Sequence, residues 1–78
     1  RGYYMEPTAV LARDNAARVC QEEIFGPFAT FLTYDSLDEA LAIANATPFG
    51  LVAYVWAGDL DVAMRASRDL RAGTVWVN

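Results

Sequence analysis

The strongest constraint on the fold is the run of residues 51–57, which is apolar at every position. This run is too short to span a bilayer, which takes about 20 apolar residues, but it has the length of a β-strand. A strand that is apolar throughout is buried on both faces, as in parallel sheets that helices cover. Residues 28–34 are nearly as apolar, and Thr74–Val77 is a third run of the same kind. The sequence therefore predicts three buried strands.

Two helical patterns separate the three runs. Ser36 and Glu39 have the spacing of a capping box, in which each side chain accepts a hydrogen bond from a free amide at the helix start. Asn45 and Pro48 end this helix, because proline disfavours helical geometry in the residue before it. The apolar side of this first helix comprises Leu37, Ala40, Leu41 and Ala44, which recur at helical spacing.

The second helix is expected to begin after Gly58, with Asp59 as a suitable N-cap. Gly73 is predicted to supply the left-handed residue that commonly closes a helix. The expected buried side comprises Leu60, Ala63, Met64 and Ser67, and the C-terminal half carries Arg65, Arg68 and Arg71.

From residue 28 onward the order of elements is thus β-α-β-α-β, which predicts an α/β fold built as part of a parallel, doubly wound sheet. Residues 2–11 are expected to form a proline-interrupted edge strand, and residues 14–23 a short polar connection with one or two helical turns. Two short helices cannot cover both faces of three strands. We therefore expect residues 1–78 to be an internal piece of a larger soluble protein, with no complete domain and no catalytic activity of its own. The alternative is a small, independent α/β interaction module.

Composition restricts the partners. Six arginines, no lysine and ten carboxylates give a net charge of −4, so no basic patch is available to neutralise the phosphates of a nucleic acid. No run is long enough to cross a membrane. One cysteine and no histidine leave no cluster with metal-ligand spacing. A single unpaired cysteine favours a reducing compartment, and we expect the cytoplasm.

The turns that follow the first two strands lack the glycine-rich patterns that bind phosphate, and Asp35 and Asp59 would repel it. No histidine is present to activate Ser36 or Ser67. Cys20 is followed by Gln21 and two glutamates, a setting that does not favour a reactive thiolate. We therefore interpret Cys20 as a small buried hydrophobe.

The segment with the most chemical content is residues 21–28, where Glu22 and Glu23 precede Ile24, Phe25 and a Gly-Pro turn. A carboxylate here could accept two hydrogen bonds from a vicinal diol such as ribose, and the aromatic ring could lie against a flat ligand. The structural alternative is that both glutamates are solvated loop charges and that Phe25 belongs to the core.

This segment resembles the E-E-I-F-G-P signature of the NAD(P)-dependent aldehyde dehydrogenase superfamily, which it matches at residues 22–27. The resemblance extends along the chain. Residues 2–8 are similar to the family's G-Y-[FY]…P-T segment, residues 44–51 to its A-N-x-x-x-[YF]-G-L turn, and residues 73–78 to its G-x-[VI]-x-[VI]-N strand. Within the family this stretch corresponds to a later, incomplete part of the catalytic domain.

The resemblance implies oxidation of an aldehyde to a carboxylic acid with NAD or NADP. A cysteine thiolate attacks the carbonyl, hydride passes to the nicotinamide, and a glutamate-activated water releases the acid. Glu23 matches the position that binds the nicotinamide ribose, and Phe25 matches the aromatic beside the nicotinamide. Glu22 inherits no role from the resemblance. The family's cysteine and general-base motifs, G-Q-x-C and E-L-G-G, do not occur here, and Cys20 does not match the cysteine's context, so it inherits no role either.

The resemblance further implies a small-molecule aldehyde as substrate and a homo-oligomer for the full-length protein. Residues 20–28 and 49–56 are similar to bacterial semialdehyde dehydrogenases of aromatic catabolism, so a semialdehyde is one option for the substrate. A non-catalytic relative that serves as a structural or binding protein is the alternative function. The two are distinguished by whether the sequence before residue 1 carries the cysteine and the glutamate.

Overall fold

The computed structural model describes residues 2–78. They divide into two compact units, the first ending at Thr33 and the second comprising Tyr34–Asn78. The first unit contains a strand, a short helix and a strand, and the second contains two helices that alternate with two strands. In chain order the elements are β1 (Thr8–Leu11), α1 (Arg18–Gln21), β2 (Phe28–Phe31), α2 (Leu37–Asn45), β3 (Val52–Val55), α3 (Leu60–Asp69) and β4 (Thr74–Val77).

In the first unit, β1 and β2 run parallel, in a register that sets Thr8 opposite Phe28 and Leu11 opposite Phe31. The Thr8 amide donates to the Pro27 carbonyl at 2.9 Å, so the ladder begins one residue before β2. β1 starts directly after Pro7, because proline has no amide to give to a ladder. A strand is present within the predicted residues 2–11, but it is limited to Thr8–Leu11, and the predicted short helical connection is present as α1.

In the second unit, β3 and β4 are also parallel, with Val52 opposite Thr74 and Val55 opposite Val77. Helix α3 connects these two strands and packs against both of them and against α2. This is a βαβ arrangement, in which a helix returns the chain to the start of a parallel neighbour.

The predicted element order is confirmed, although each strand is four residues long and so shorter than its apolar run. Within residues 2–78, β2 pairs with β1, and β3 pairs with β4. The order of elements along a chain does not determine which strands are neighbours, so the sequence pattern could not give this pairing. The α/β class with parallel strands is as predicted.

Both predicted N-caps are present. The Glu39 amide donates to the Ser36 hydroxyl at 3.1 Å, and the Val62 amide donates to the Asp59 carboxylate at 2.9 Å. The Glu39 carboxylate differs from the prediction, because it accepts from the Asp35 amide at 2.7 Å instead of the Ser36 amide. The carboxylate thus still satisfies a free amide at the helix start.

The prediction for Gly73 was wrong. Helix α3 ends at Asp69, its C-cap Leu70 is extended, and Gly73 does not adopt the left-handed conformation. A Cβ at Gly73 would lie 3.2 Å from the Leu51 carbonyl oxygen, and a Cβ at Gly50 would lie 3.0 Å from that of Arg71. Glycine is therefore required here by the close approach of two backbone segments, not by a helix C-cap.

The buried side of α3 agrees with the prediction at Ala63 and differs from it at Leu60 and Met64. Among residues 2–78 the buried side chains are Leu41, Ala63 and Ala66, whereas Leu60 and Met64 are mostly exposed. The packing between α3 and the strands uses small alanines, which allow close approach. In β3 the even-numbered residues are exposed and the odd-numbered ones half-buried, so α3 covers one sheet face. No helix among residues 2–78 has the length and apolar content to cross a membrane.

Candidate functional site

The segment singled out from the sequence forms the loop between α1 and β2, and it lies at the amino end of β2. Doubly wound sheets bind phosphates beyond the carboxyl ends of their strands, which is the opposite edge. A ligand at this loop would therefore use contacts other than the usual phosphate turn. Residues 22–27 form the signature loop.

The start of the signature loop is fixed by Glu22. Its amide donates to the Arg18 carbonyl at 2.9 Å, and its carboxylate accepts two bonds from the Arg18 guanidinium, at 2.9 and 3.1 Å. The hydrogen bond that the Arg18 guanidinium donates to Glu22 raises the pKa of Arg18. Glu22 is thus engaged within the protein, which agrees with the absence of an assigned role for it.

The end of the signature loop is fixed on the sheet. The Phe28 amide donates to the Gly26 carbonyl at 2.8 Å, and the Pro27 carbonyl accepts from Thr8. Three residues, Glu23, Ile24 and Phe25, bridge these two anchors. A span this short between fixed ends has little conformational freedom.

Glu23 differs from its neighbour Glu22 in its contacts. Its side chain is exposed, and it forms no hydrogen bond or ion pair with any residue in the described range 2–78. An ionised carboxylate has room for about four hydrogen bonds on its two oxygens. Both oxygens of Glu23 are therefore available to an external donor.

Phe25 has the left-handed backbone conformation, with φ = 56°, and its side chain is 92% exposed. Such a conformation costs a non-glycine residue about 1–2 kcal/mol, and it is rare for a bulky one. Residues held in this region of backbone space cluster at functional sites. The sequence did not reveal this strain, and the core position that was the structural alternative for Phe25 is not observed.

Gly26 opens onto a cleft of 480 Å³, which is part of the first unit. The cleft is lined mainly by small or cyclic residues, namely Pro7, Thr8, Ala9, Gly26, Pro27, Phe28 and Ala29. The signature loop therefore brings together a free carboxylate, an exposed aromatic ring and an open cleft.

Cys20 contacts the protein backbone. Its side chain is half-buried, and its Sγ donates to the Asp14 carbonyl at 3.6 Å. Thr30 is held in the same unit by a bond from its hydroxyl to the Val19 carbonyl, at 3.2 Å. No group of three or more His, Cys, Asp or Glu side chains within residues 2–78 is arranged to hold a metal ion.

Two asparagines have roles that the sequence analysis missed. The Asn45 side chain donates to the Asp69 carbonyl at 2.9 Å and accepts from the Arg71 amide at 2.8 Å, so it joins the end of α2 to the end of α3. The Asn78 side chain pairs with both the amide and the carbonyl of Ala57, at 3.0 and 3.1 Å. Both belong to motifs identified in the sequence, but the motif alone does not show which backbone groups they bind.

Four charges of the second unit, those of Arg65, Arg68, Asp38 and Asp69, are paired with one another. Arg65 binds Asp38, and it also approaches Asp69 at 3.4 Å. Arg68 donates to Asp69 at 2.8 Å, and this hydrogen bond is the main cause of a lowered pKa at Asp69. In the turns that follow β2 and β3, the Asp35 amide is bonded to Glu39 and the Asp59 carboxylate caps α3. These groups stabilise the helices and are not free for a ligand.

The chain is similar to known proteins over its whole length. The model of the aldehyde dehydrogenase family matches residues 1–78. The fluoroacetaldehyde dehydrogenase of Streptantibioticus cattleyicolor is 49% identical over 77 residues, which are 99% of this chain and 15% of that protein. The chain thus spans about a sixth of the length of the curated relatives it matches.

Solved structures give the same result. A variant of the P. syringae indole-3-acetaldehyde dehydrogenase in complex with NAD+ is 53% identical, with a TM-score of 0.90 over 95% of this chain and 15% of that one. The gamma-glutamyl-gamma-aminobutyraldehyde dehydrogenase of Burkholderia cenocepacia is 49% identical, with a TM-score of 0.91 over 97% of this chain and 15% of the other. The chain belongs to the aldehyde dehydrogenase family.

Proposed function

We propose that residues 1–78 are part of the catalytic domain of a longer enzyme that oxidises an aldehyde to a carboxylic acid with NAD+ or NADP+. In this proposal the signature loop holds the nicotinamide end of the cofactor. The observation that carries the proposal is the contrast between two adjacent carboxylates: Glu22 is fully engaged by Arg18, and Glu23 has no partner among residues 2–78.

The chemistry of Glu23 suits a ribose. Two adjacent hydroxyls of a sugar can donate to the two oxygens of one carboxylate, as acidic residues do in dinucleotide-binding folds. Hydrogen bonds to a charged acceptor are worth about 1.5–3 kcal/mol, which is enough to orient a ligand. Because the Glu23 carboxylate has no competing partner within the described residues, binding would not require an existing bond to break.

Phe25 would contribute a flat surface. Its ring is exposed, and its backbone is held in a strained conformation between the two fixed ends of the loop. A ring fixed in this way loses little entropy when a planar nicotinamide packs beside it, and such positioning supports hydride transfer. Glu23 and Phe25 are thus the residues of this chain that would hold the cofactor. The cofactor itself would supply the group that accepts the hydride.

Other parts of the enzyme are expected outside residues 1–78. These parts are the cysteine nucleophile, the glutamate base and most of the aldehyde pocket, for which a semialdehyde is one candidate substrate. The proposal is supported by relatives about six times as long and by the exposed aromatic face formed by Tyr54, Trp56 and Trp76. We infer that further polypeptide covers this face, and that the full-length enzyme is a cytoplasmic homo-oligomer.

The test compares Glu23→Gln with Glu22→Gln in the full-length protein. Glutamine keeps the size of the side chain but removes the charge, so Glu23→Gln should weaken binding of NAD+ or NADP+ about 10- to 100-fold. Hydride transfer should slow as well, and thermal unfolding should be unchanged. Glu22→Gln should leave cofactor affinity within about twofold, since it loses only an exposed ion pair.

Equal cofactor affinity and turnover in Glu23→Gln and the unmodified enzyme would contradict the proposal. If the unmodified full-length protein lacked aldehyde oxidation but bound the cofactor, a non-catalytic relative would be the correct reading.

A further inference from the structure

Asn78 follows β4 directly, and its conformation ends the strand. Its backbone is left-handed, with φ = 57°, whereas a residue of a parallel strand has a φ of about −120°. Asparagine is one of the few residues other than glycine that adopt this conformation, because its short side chain can bond locally. The backbone therefore leaves the strand direction at Asn78, although the Asn78 amide still donates to the Val55 carbonyl at 2.9 Å.

The side chain of Asn78 replaces the strand pairing that its backbone gives up. The register of β3 and β4 continues with Asn78 opposite Trp56, so a regular parallel ladder would have the Ala57 amide donate to the Asn78 backbone carbonyl. The Ala57 amide donates instead to the Asn78 side-chain oxygen at 3.0 Å, and Nδ2 of Asn78 donates to the Ala57 carbonyl at 3.1 Å. One side-chain amide thus satisfies both backbone groups of Ala57, and the main chain is released from the sheet.

This release occurs at the carboxyl ends of β3 and β4. Parallel α/β sheets bind ligands outside this edge, and the segments that leave it carry binding and catalytic groups. The proposed function assigns the nicotinamide end of the cofactor to the signature loop, at the amino end of β2 in the other unit. Of the two reactants, the aldehyde is therefore the one left for the carboxyl edge of β3 and β4.

Asn45 gives a comparison within the same unit. Its side chain also makes two hydrogen bonds to backbone groups, to the Asp69 carbonyl and from the Arg71 amide. These bonds lie before β4, at the amino end of the strand, and the Asn45 backbone is helical. Asn45 joins two elements that are already formed, whereas Asn78 changes the direction of the chain at the ligand-binding edge.

We propose that Asn78 is a positioning residue for the aldehyde. Its side chain fixes the point and the direction in which the chain leaves the sheet, so that the segment after residue 78 meets the aldehyde in a defined geometry. The inference rests on the proposed function, since it needs a longer enzyme that oxidises an aldehyde. It extends that function to a residue that acts through the following segment and touches neither reactant.

The experiment compares Asn78→Ala with Asn45→Ala in the full-length enzyme, because each variant removes an amide that makes two hydrogen bonds to the backbone. The probe is whichever of propanal, benzaldehyde and succinate semialdehyde the unmodified enzyme oxidises best. We expect Asn78→Ala to raise the KM for this aldehyde about tenfold or more, since small misplacements near a reacting centre have large effects.

The Kd of the cofactor and the thermal unfolding midpoint are measured in parallel. In Asn78→Ala the cofactor Kd should stay within about twofold of the unmodified enzyme. In Asn45→Ala the aldehyde KM and the cofactor Kd should both stay within about twofold, while the unfolding midpoint falls.

A second variant, Asn78→Gly, separates the side chain from the backbone conformation. Glycine adopts the left-handed conformation readily but has no amide to pair with Ala57, so the aldehyde KM should rise as it does in Asn78→Ala. A normal KM in Asn78→Gly would overturn the inference, because the conformation alone would then direct the chain. Failure of both variants to fold would assign Asn78 to stability and would overturn the inference as well.

The outcomes separate the two proposals. If Glu23→Gln weakens cofactor binding and Asn78→Ala changes only the unfolding midpoint, the inference on Asn78 is overturned and the proposed function stands. An equal rise of the aldehyde KM in Asn45→Ala would also overturn the inference, since any lost bridge would then act in the same way. If Glu23→Gln leaves the cofactor unaffected while Asn78→Ala raises the aldehyde KM, the proposed cofactor site fails and the inference on Asn78 survives.

Discussion

The two units differ in how they use their polar groups. In the second unit the caps, the Asn45 bridge and the Arg65 and Arg68 ion pairs connect polar side chains to one another or to the backbone. In the signature loop of the first unit, Glu23 and Phe25 are exposed, and Phe25 also has a strained backbone. The contrast separates groups that hold the fold together from groups that remain available to a ligand. Changes in the second unit should therefore alter stability and spare cofactor binding.

Asn45→Ala should have the largest effect on stability in the second unit. It removes two hydrogen bonds that join α2 to the end of α3 and to Arg71, and the one to the Asp69 carbonyl is partly buried. We expect a local loss of about 1–3 kcal/mol. The measurement is hydrogen exchange of the Arg71 amide in the full-length protein, where protection should fall.

The matched variant Asn45→Asp keeps an acceptor for the Arg71 amide and loses the donor to Asp69, so its loss of protection should be smaller. A tenfold change of cofactor Kd in Asn45→Ala would break the proposed division between the units.

Asp59→Ala should have an intermediate effect. The variant leaves the Val62 amide without its acceptor at the start of α3. Loss of an N-cap costs about 1 kcal/mol. Asp61→Ala is the control, because it removes a charge near the helix start but no cap, at a cost of about 0.3–1 kcal/mol. Exchange of the Val62 amide should accelerate in Asp59→Ala more than in Asp61→Ala; equal acceleration would show that the dipole, not the cap, matters.

The smallest expected effect is a loss of stability at low pH. The hydrogen bond from Arg68 lowers the pKa of Asp69 in the folded protein. A carboxyl whose pKa is lower when folded contributes stability that is present above its unfolded pKa, about 3.9, and is lost as the pH falls through the folded value. The contribution of Asp69 to the stability of the α3 end should thus be constant between about pH 5 and 8, roughly one unit or more above the unfolded pKa. This contribution should decrease below about pH 4.

The variant Asp69→Asn should lack this acid-dependent step. An unchanged acid titration of α3 protection in the variant would contradict the assignment.

The sequence predicted well wherever a local pattern determines local structure. The caps at Ser36 and Asp59, the order of strands and helices, and the parallel α/β class were all correct, because spacing and residue type decide them. The family resemblance, carried by four short motifs, was confirmed along the whole chain.

The sequence predicted poorly wherever contacts with distant segments of the chain determine the local conformation or packing. Gly73 was assigned to a helix end, but its actual constraint is the Leu51 carbonyl more than 20 residues away. Leu60 and Met64 were assigned to the core, but the α3 contact uses Ala63 and Ala66. The left-handed Phe25 lies between two anchors, one on α1 and one on β1, which no local pattern reveals. The roles of Glu23 and Phe25 toward a cofactor remain predictions.

The most direct test is a crystal structure of the full-length protein with its nicotinamide cofactor bound. The account predicts that the Glu23 carboxylate accepts hydrogen bonds of about 2.5–3.0 Å from the hydroxyls of the nicotinamide ribose, with the Phe25 ring beside the nicotinamide and Glu22 still bound to Arg18. A ribose held by other residues, with Glu23 in solvent or paired to another part of the protein, would contradict it.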